Sequence, residues 1–170
     1  GIGFVADAGG RASREIVDAA LAALNRVRHR GAVAADARSG DGAGILLPLP
    51  QAFYRDLVTR TGLGPQSAAR IGVATVFLSN LAGDEGAAER RGVRHALEDA
   101  CHAEQLEVTG WRHVPVESNA LGDEARATAP QIEQAILRAE TASTDAEAEA
   151  RCYRARKRAE RAIAAAGLRG

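Results

Sequence analysis

The residues richest in possible chemistry are His29-Arg30-Gly31-Ala32 and then Ser39-Gly40-Asp41-Gly42-Ala43-Gly44. The glycines of the second run do not form GxGxxG between a strand and a helix, and no GK[ST] follows. Neither a dinucleotide fingerprint nor a P-loop is therefore present. Taken alone, each piece has an ordinary reading too. Arg30-Gly31 suits the cationic end of a helix and the glycine beyond it, and the second run suits a flexible turn entering a strand.

Other chemistries are excluded more firmly. His29, His95, His102 and His113 share no ligand spacing such as HExxH. His95 and His102 can share one helix face, where solvated histidines are the ordinary outcome. No GxSxG elbow supports a serine nucleophile. The two cysteines, Cys101 and Cys152, make neither a CxxC pair nor a disulfide framework. Cys101 has apolar neighbours and Cys152 stands beside Tyr153, so both read as packing residues.

The elements that must position these residues follow from periodicity. Residues 2–6 read as a short buried strand and 7–11 as a glycine-rich turn. Ser13 is a suitable N-cap for a helix over 14–28, whose apolar stripe is Ile16, Val17, Ala20, Leu21, Leu24 and Val27. Residues 45–47 read as a strand closed by Pro48, and Pro50 suits the first turn of the next helix. A turn is expected at 62–65. Residues 71–78 (IGVATVFL) read as a buried central strand because the run is continuous, apolar and β-branched. A helix over 83–104, a strand over 106–116 and an irregular stretch over 118–130 come next. Residues 131–138 fit strand or helix equally. Thr144 and Glu147 form a capping box opening a helix over 145–166. The implied class is an α/β or α+β layer fold.

The chain has 170 residues, 46% hydrophobic and 26% charged, enough for one ordinary domain. Twenty-two basic side chains balance 22 acidic ones, which argues against a nucleic-acid or membrane-surface protein. No apolar run reaches the roughly 20 residues that span a bilayer, and the opening residues do not resemble a secretory signal. A cytoplasmic, reducing setting is expected. Aromatics are 4%, Lys157 is the only lysine, and there is no methionine. The missing initiator methionine leads to the expectation of a cut or processed chain. A core of alanine and branched aliphatics is thin per residue, so further polypeptide is expected around it.

In combination these strings resemble a known family. G-I-G-F-V-A-D, a helix, H-R-G-A and G-D-G-A-G-I-L-L-P-L-P-x-x-F resemble the N-terminal type 2 glutamine amidotransferase region of glutamate synthase large subunits. The resemblance continues through Val76-Phe77-Leu78 and Gly110-Trp111-Arg112-x-Val114-Pro115-Val116. Leu121-Gly122, Pro130-x-Ile132-x-Gln134 and the helix bearing Glu149, Tyr153, Arg156 and Lys157 complete it. It spans residues 1–170, expected to be the N-terminal part of such a glutaminase domain.

The resemblance implies an α+β N-terminal-nucleophile fold, an incomplete four-layer α-β-β-α sandwich. It implies release of ammonia from glutamine for reductive transfer to 2-oxoglutarate, giving glutamate. The family's nucleophile, an N-terminal cysteine, would stand immediately before Gly1 and is absent from this sequence. Arg30 and Gly31 match the family's Arg-Gly at the glutaminase site, close to Gly1, and Asp41 is a possible loop support. Trp111 and Arg112 read as bracing residues. The family's arginine for the substrate carboxylate and its Asn-Gly oxyanion pair have no counterpart here, so this chain alone is expected to be inactive. No cofactor is expected in this segment; FMN and an iron–sulfur cluster are implied for the complete enzyme. The implied partners are glutamine, the remaining synthase domains of the same polypeptide and a small electron-donating subunit. Two alternatives stay open: another type 2 amidotransferase, or a non-catalytic regulatory or scaffold module lacking the nucleophile.

Overall fold

A computed structural model describes residues 2–33, 36, 38–40, 42–62, 70–139 and 144–169. Its elements in chain order are α1 (Arg14–Arg26), a 3₁₀ turn (Arg28–Arg30), α2 (Gln51–Thr61), β1 (Arg70–Leu78), α3 (Gly83–Ala103) and β2 (Glu107–His113). A second 3₁₀ turn (Ser118–Ala120), α4 (Asp123–Thr128), β3 (Gln131–Ala139) and α5 (Asp145–Ala165) follow. None of these helices is long and apolar enough to cross a membrane. The chain divides into two compact units, Gly1–Pro48 with Glu117–Ala127, and Leu49–Val116 with Thr128–Gly170.

The larger unit is a three-stranded antiparallel sheet in the order β1-β3-β2. Period-2 alternation sorts β3 between two faces. Ala135, Leu137 and Ala139 join Leu97, Ala100 and Cys101 of α3 and Ala148, Ala155 and Ala159 of α5 in one core. Ile136 points the other way, onto Tyr54 and Val58 of α2, with Ile71 and Val73 of β1 beside it. The alanine stripe of α5 lets the helix lie close to the sheet, and Gly72 leaves room for Cys152. Glu104, at the end of α3, accepts hydrogen bonds from Arg154 and Arg158 of α5 at 2.6 and 2.5 Å. These two guanidinium groups hold its carboxyl below the usual carboxylate range.

The helix ends follow local signals. Thr144 caps α5, its Oγ1 accepting from the Glu147 amide at 3.1 Å. Gly62 and Gly167 take positive φ at the helix ends where glycine is favoured. Ser13 stands at the N-cap of α1, but its side chain makes no capping bond. Of the turn expected at 62–65, residues 63–65 lie outside the described residues.

Four expectations need correction, the first being the irregular stretch over 118–130, which holds the short helix α4 (Asp123–Thr128). Residues 71–78 do form a strand, but at an edge of the sheet, and Phe77 is 54% exposed. Apolar character on both faces did not require burial on both faces, because α2 covers Ile71 and Val73 and stops short of Phe77. The central strand is β3, whose Glu133, Gln134 and Arg138 disguised it; both of its faces carry helices. Residues 2–6 and 45–47 form no strand. A strand needs a partner edge, and the smaller unit offers only the isolated Val33–Gly40 bridge among the described residues. The observed fold is a mixed α/β arrangement around one small antiparallel sheet.

Candidate functional site

In the smaller unit α1 ends in a tightening turn. The Val27 amide reaches back to Leu24 O at 3.3 Å, and the Arg30 amide reaches Val27 O at 2.9 Å. His29 Nδ1 lies 3.0 Å from Arg26 O. This turn carries Arg30 and Gly31 into solvent, where both are exposed. An exposed guanidinium can receive an anionic or carbonyl oxygen.

The chain then folds back on itself. Val33 pairs with Gly40 in an antiparallel bridge. A Cβ on Gly40 would come within 2.7 Å of Ala32 O, so only glycine allows the approach. Two strings ten residues apart in the sequence thus become neighbours. Gly31-Ala32 enters the loop, and Gly40 leaves it. Asp41 and Gly1 lie outside the described residues.

The loop closes on a polar knot that the sequence reading missed. Asp36 Oδ1 accepts from the amides of Arg38 and Ser39 at 2.9 and 2.7 Å, and Asp36 Oδ2 accepts from Ser39 Oγ at 2.5 Å. These donors, the hydroxyl first, hold the Asp36 carboxyl well below the usual carboxylate range. Ser39 is buried, and its Oγ accepts from the Ala125 amide at 3.2 Å. Arg38 donates to Asn119 O at 3.1 Å. The Asp-x-x-Ser spacing is a recognisable side-chain-to-backbone turn signal, but its contact with residues 119–125 had no local trace.

The remaining sequence candidates sit elsewhere. Trp111 packs against the alanine-rich core and donates from Nε1 to Glu98 at 2.7 Å. Arg112 stacks 5.9 Å from the Phe53 ring centre. His95 is exposed, 3.5 Å from Asp99. His113 lies 3.2 Å from the buried Glu133, which Arg94 also grips. Burial pushes the Cys101 thiol up to about 12 and raises that of Cys152. A thiol must ionise to act as nucleophile or metal ligand, so neither is available for that work. Among the described residues no three His, Cys, Asp or Glu side chains gather to hold a metal ion.

Comparison with known proteins gives these strings a context. The large chain of an NADPH glutamate synthase from Azospirillum brasilense is 37% identical over 164 residues, 96% of this chain and 10% of that protein. A ferredoxin-dependent glutamate synthase 2 from Synechocystis is 35% identical over 156 residues, 92% of this chain and 10% of its own length. A chloroplastic ferredoxin-dependent glutamate synthase 2 from Arabidopsis thaliana is 33% identical over 164 residues, 96% of this chain and again 10% of that protein. The chain spans about a tenth of the length of these curated relatives. The profile described as "Glutamine amidotransferases class-II" matches residues 1–169, which is nearly the entire sequence. The chain belongs to the class-II glutamine amidotransferase family.

Proposed function

We propose that the chain is the N-terminal part of the glutaminase domain of a glutamate synthase, with Arg30 and Gly31 at the site and Asp41 supporting its loop. The observation that supports this reading most is the Val33–Gly40 bridge, which brings the ends of the two motif strings together in a chain of this family. The relatives' names support the synthase assignment.

In this reading a cysteine immediately before Gly1 supplies the nucleophile. Its own α-amino group, with a pKa of about 8, takes the thiol proton. The thiolate adds to the side-chain amide carbon of glutamine. The C–N bond breaks as the ammonium returns the proton, so ammonia leaves and a glutamyl thioester remains. Water then cleaves the thioester to glutamate and restores the thiol. Arg30 anchors the loop beside this centre, and Gly31 keeps its backbone accessible. The remaining domains would combine the ammonia with 2-oxoglutarate, with loss of water, and reduce the product by two electrons to glutamate, a small electron-donating subunit being the partner.

An iron–sulfur cluster does not fit this chain. An iron–sulfur cluster takes several thiolates, whereas Cys101 and Cys152 are the only cysteines and both are held as thiols by burial. No step is therefore assigned to a cluster here, and FMN belongs, in this reading, to the remaining domains of the complete enzyme. The four-layer sandwich belongs to the same proposal: the sheet with α3 and α5 supplies one β layer and one α layer. A cytoplasmic location belongs to it as well.

The test is ammonia release from glutamine by the full-length protein. Replacing Arg30 with Ala should lower activity at least tenfold. Full activity in that variant would remove Arg30 from the site. The chain of 170 residues by itself should release no ammonia.

A further inference from the structure

We infer that Asp36, Ser39 and Gly122 form a latch that positions the Val33–Gly40 bridge, and with it the neighbouring Arg30-Gly31, for glutamine hydrolysis. This rests on the glutaminase reading above. None of the three is proposed to touch glutamine; they are positioning residues.

The argument begins with the single hydroxyl of Ser39. A serine has one O–H to donate and lone pairs to accept. Here the O–H goes to Asp36 Oδ2 at 2.5 Å while the oxygen accepts from the Ala125 amide at 3.2 Å. One buried oxygen thus ties the loop to a segment 86 residues further along the chain. Asp36 adds the Arg38 and Ser39 amides, and Arg38 adds Asn119 O. The loop therefore meets residues 119–125 at two separate points.

Gly122 makes this contact possible. A Cβ there would collide with Ser39 Oγ and Asp36 Oδ2 and lie 2.6 Å from the Ser39 amide nitrogen. These neighbours belong to the knot itself, so neither can move aside without breaking it. The receiving segment is held in turn by Arg126, which donates to Leu121 O at 2.8 Å and to Asp123 at 3.1 Å.

Position in the chain decides what the latch controls. Asp36 and Ser39 lie between the Val33–Gly40 partners, so the knot ties the same small loop whose base holds Ala32 and Val33 against Gly40, directly after Gly31 in the chain. Loosening the knot frees the base to shift. A shift of about 1 Å at a reacting centre can cost on the order of a hundredfold in rate.

The experiment uses the full-length protein with Ser39→Ala, Ser39→Thr and Gly122→Ala. Initial rates of ammonia release give kcat and KM for glutamine. Timed trypsin digestion reads cleavage after the exposed Arg38 and Arg30. Ser39→Ala and Gly122→Ala should lose on the order of ten- to a hundredfold in kcat, with little change in KM and faster cleavage at Arg38. Ser39→Thr keeps the hydroxyl and should retain most of the rate. Should Gly122→Ala fail to fold, Asp36→Asn carries the same expectation, since it removes one acceptor without changing size. A Ser39→Ala protein with unchanged kcat, or a Ser39→Thr protein impaired as deeply as Ser39→Ala, overturns the latch. A wild-type protein that releases no ammonia overturns the glutaminase reading instead. The trypsin comparison then still decides whether the knot holds the loop.

Discussion

Replacing Arg94 with Met should unsettle the larger unit by leaving a buried carboxylate without its main partner. Glu133 is on the central strand and its side chain is 2% exposed. Arg94 of α3 donates to both of its oxygens, at 2.7 and 2.5 Å. Removing one partner of a buried pair costs about 3–5 kcal/mol, because the other charge stays desolvated. The lower end applies here: Arg94 is 33% exposed, so water can reach the vacated place, and His113 stays within 3.2 Å of Glu133. About 3 kcal/mol is the expected loss. With a urea slope of about 2 kcal/mol/M, the unfolding midpoint falls by about 1.5 M. Trp111 is the only tryptophan and lies under the Arg94 guanidinium, 5.8 Å from its ring centre, so its fluorescence reports unfolding at this place. Adding Glu133→Gln removes the stranded charge and should restore at least about 1 kcal/mol. The reasoning fails if Arg94→Met stays within about 1 kcal/mol of wild type, or if the double variant is the less stable of the two.

Gly86→Ala should be destabilising although alanine normally improves a helix by about 1 kcal/mol over glycine; its Cβ would overlap the Leu81 carbonyl, and a raised melting temperature would refute the crowding. Cys101 should resist alkylation at pH 8 in the native protein, because a thiol held up near 12 is ionised to only about one part in ten thousand; labelling at the rate of a free thiol would contradict its burial. The same shift is linked to stability: the contribution is complete below the unfolded thiol value of about 8.5 and is lost as pH rises toward 12. Glu104 runs the other way, since its folded value is lowered, so its contribution is present above about pH 4.3 and is lost as pH falls further. Glu104→Gln should therefore flatten the acid limb of a stability-against-pH curve, and an unchanged limb would count against the clamp. Thr144→Ala should cost about 1 kcal/mol by removing the cap of α5, measurable as a lower midpoint in urea.

What the sequence could determine by itself was local. Helices expected over 14–28, after Pro50, over 83–104 and over 145–166 appear at 14–26, 51–61, 83–103 and 145–165, since apolar spacing, the Thr144 cap and glycines such as Gly62 and Gly167 mark them locally. These signals act within a turn or two of the chain, so no distant residue had to be known. The family strings were legible for a similar reason, being identities at fixed positions, and the class-II match covers the same length. Tertiary structure alone decided which strand lies at the centre. Nothing in IGVATVFL says that its neighbour covers only half of one face, and nothing in QIEQAILRA says that Arg94, 39 residues earlier, neutralises Glu133. It also decided that Ala32 and Val33 meet Gly40, and that Ser39 and Ala125 bond across 86 residues. A side chain's hydrogen-bond partner and the cover on a strand's second face are set by where the rest of the chain goes, and local propensity carries no record of that.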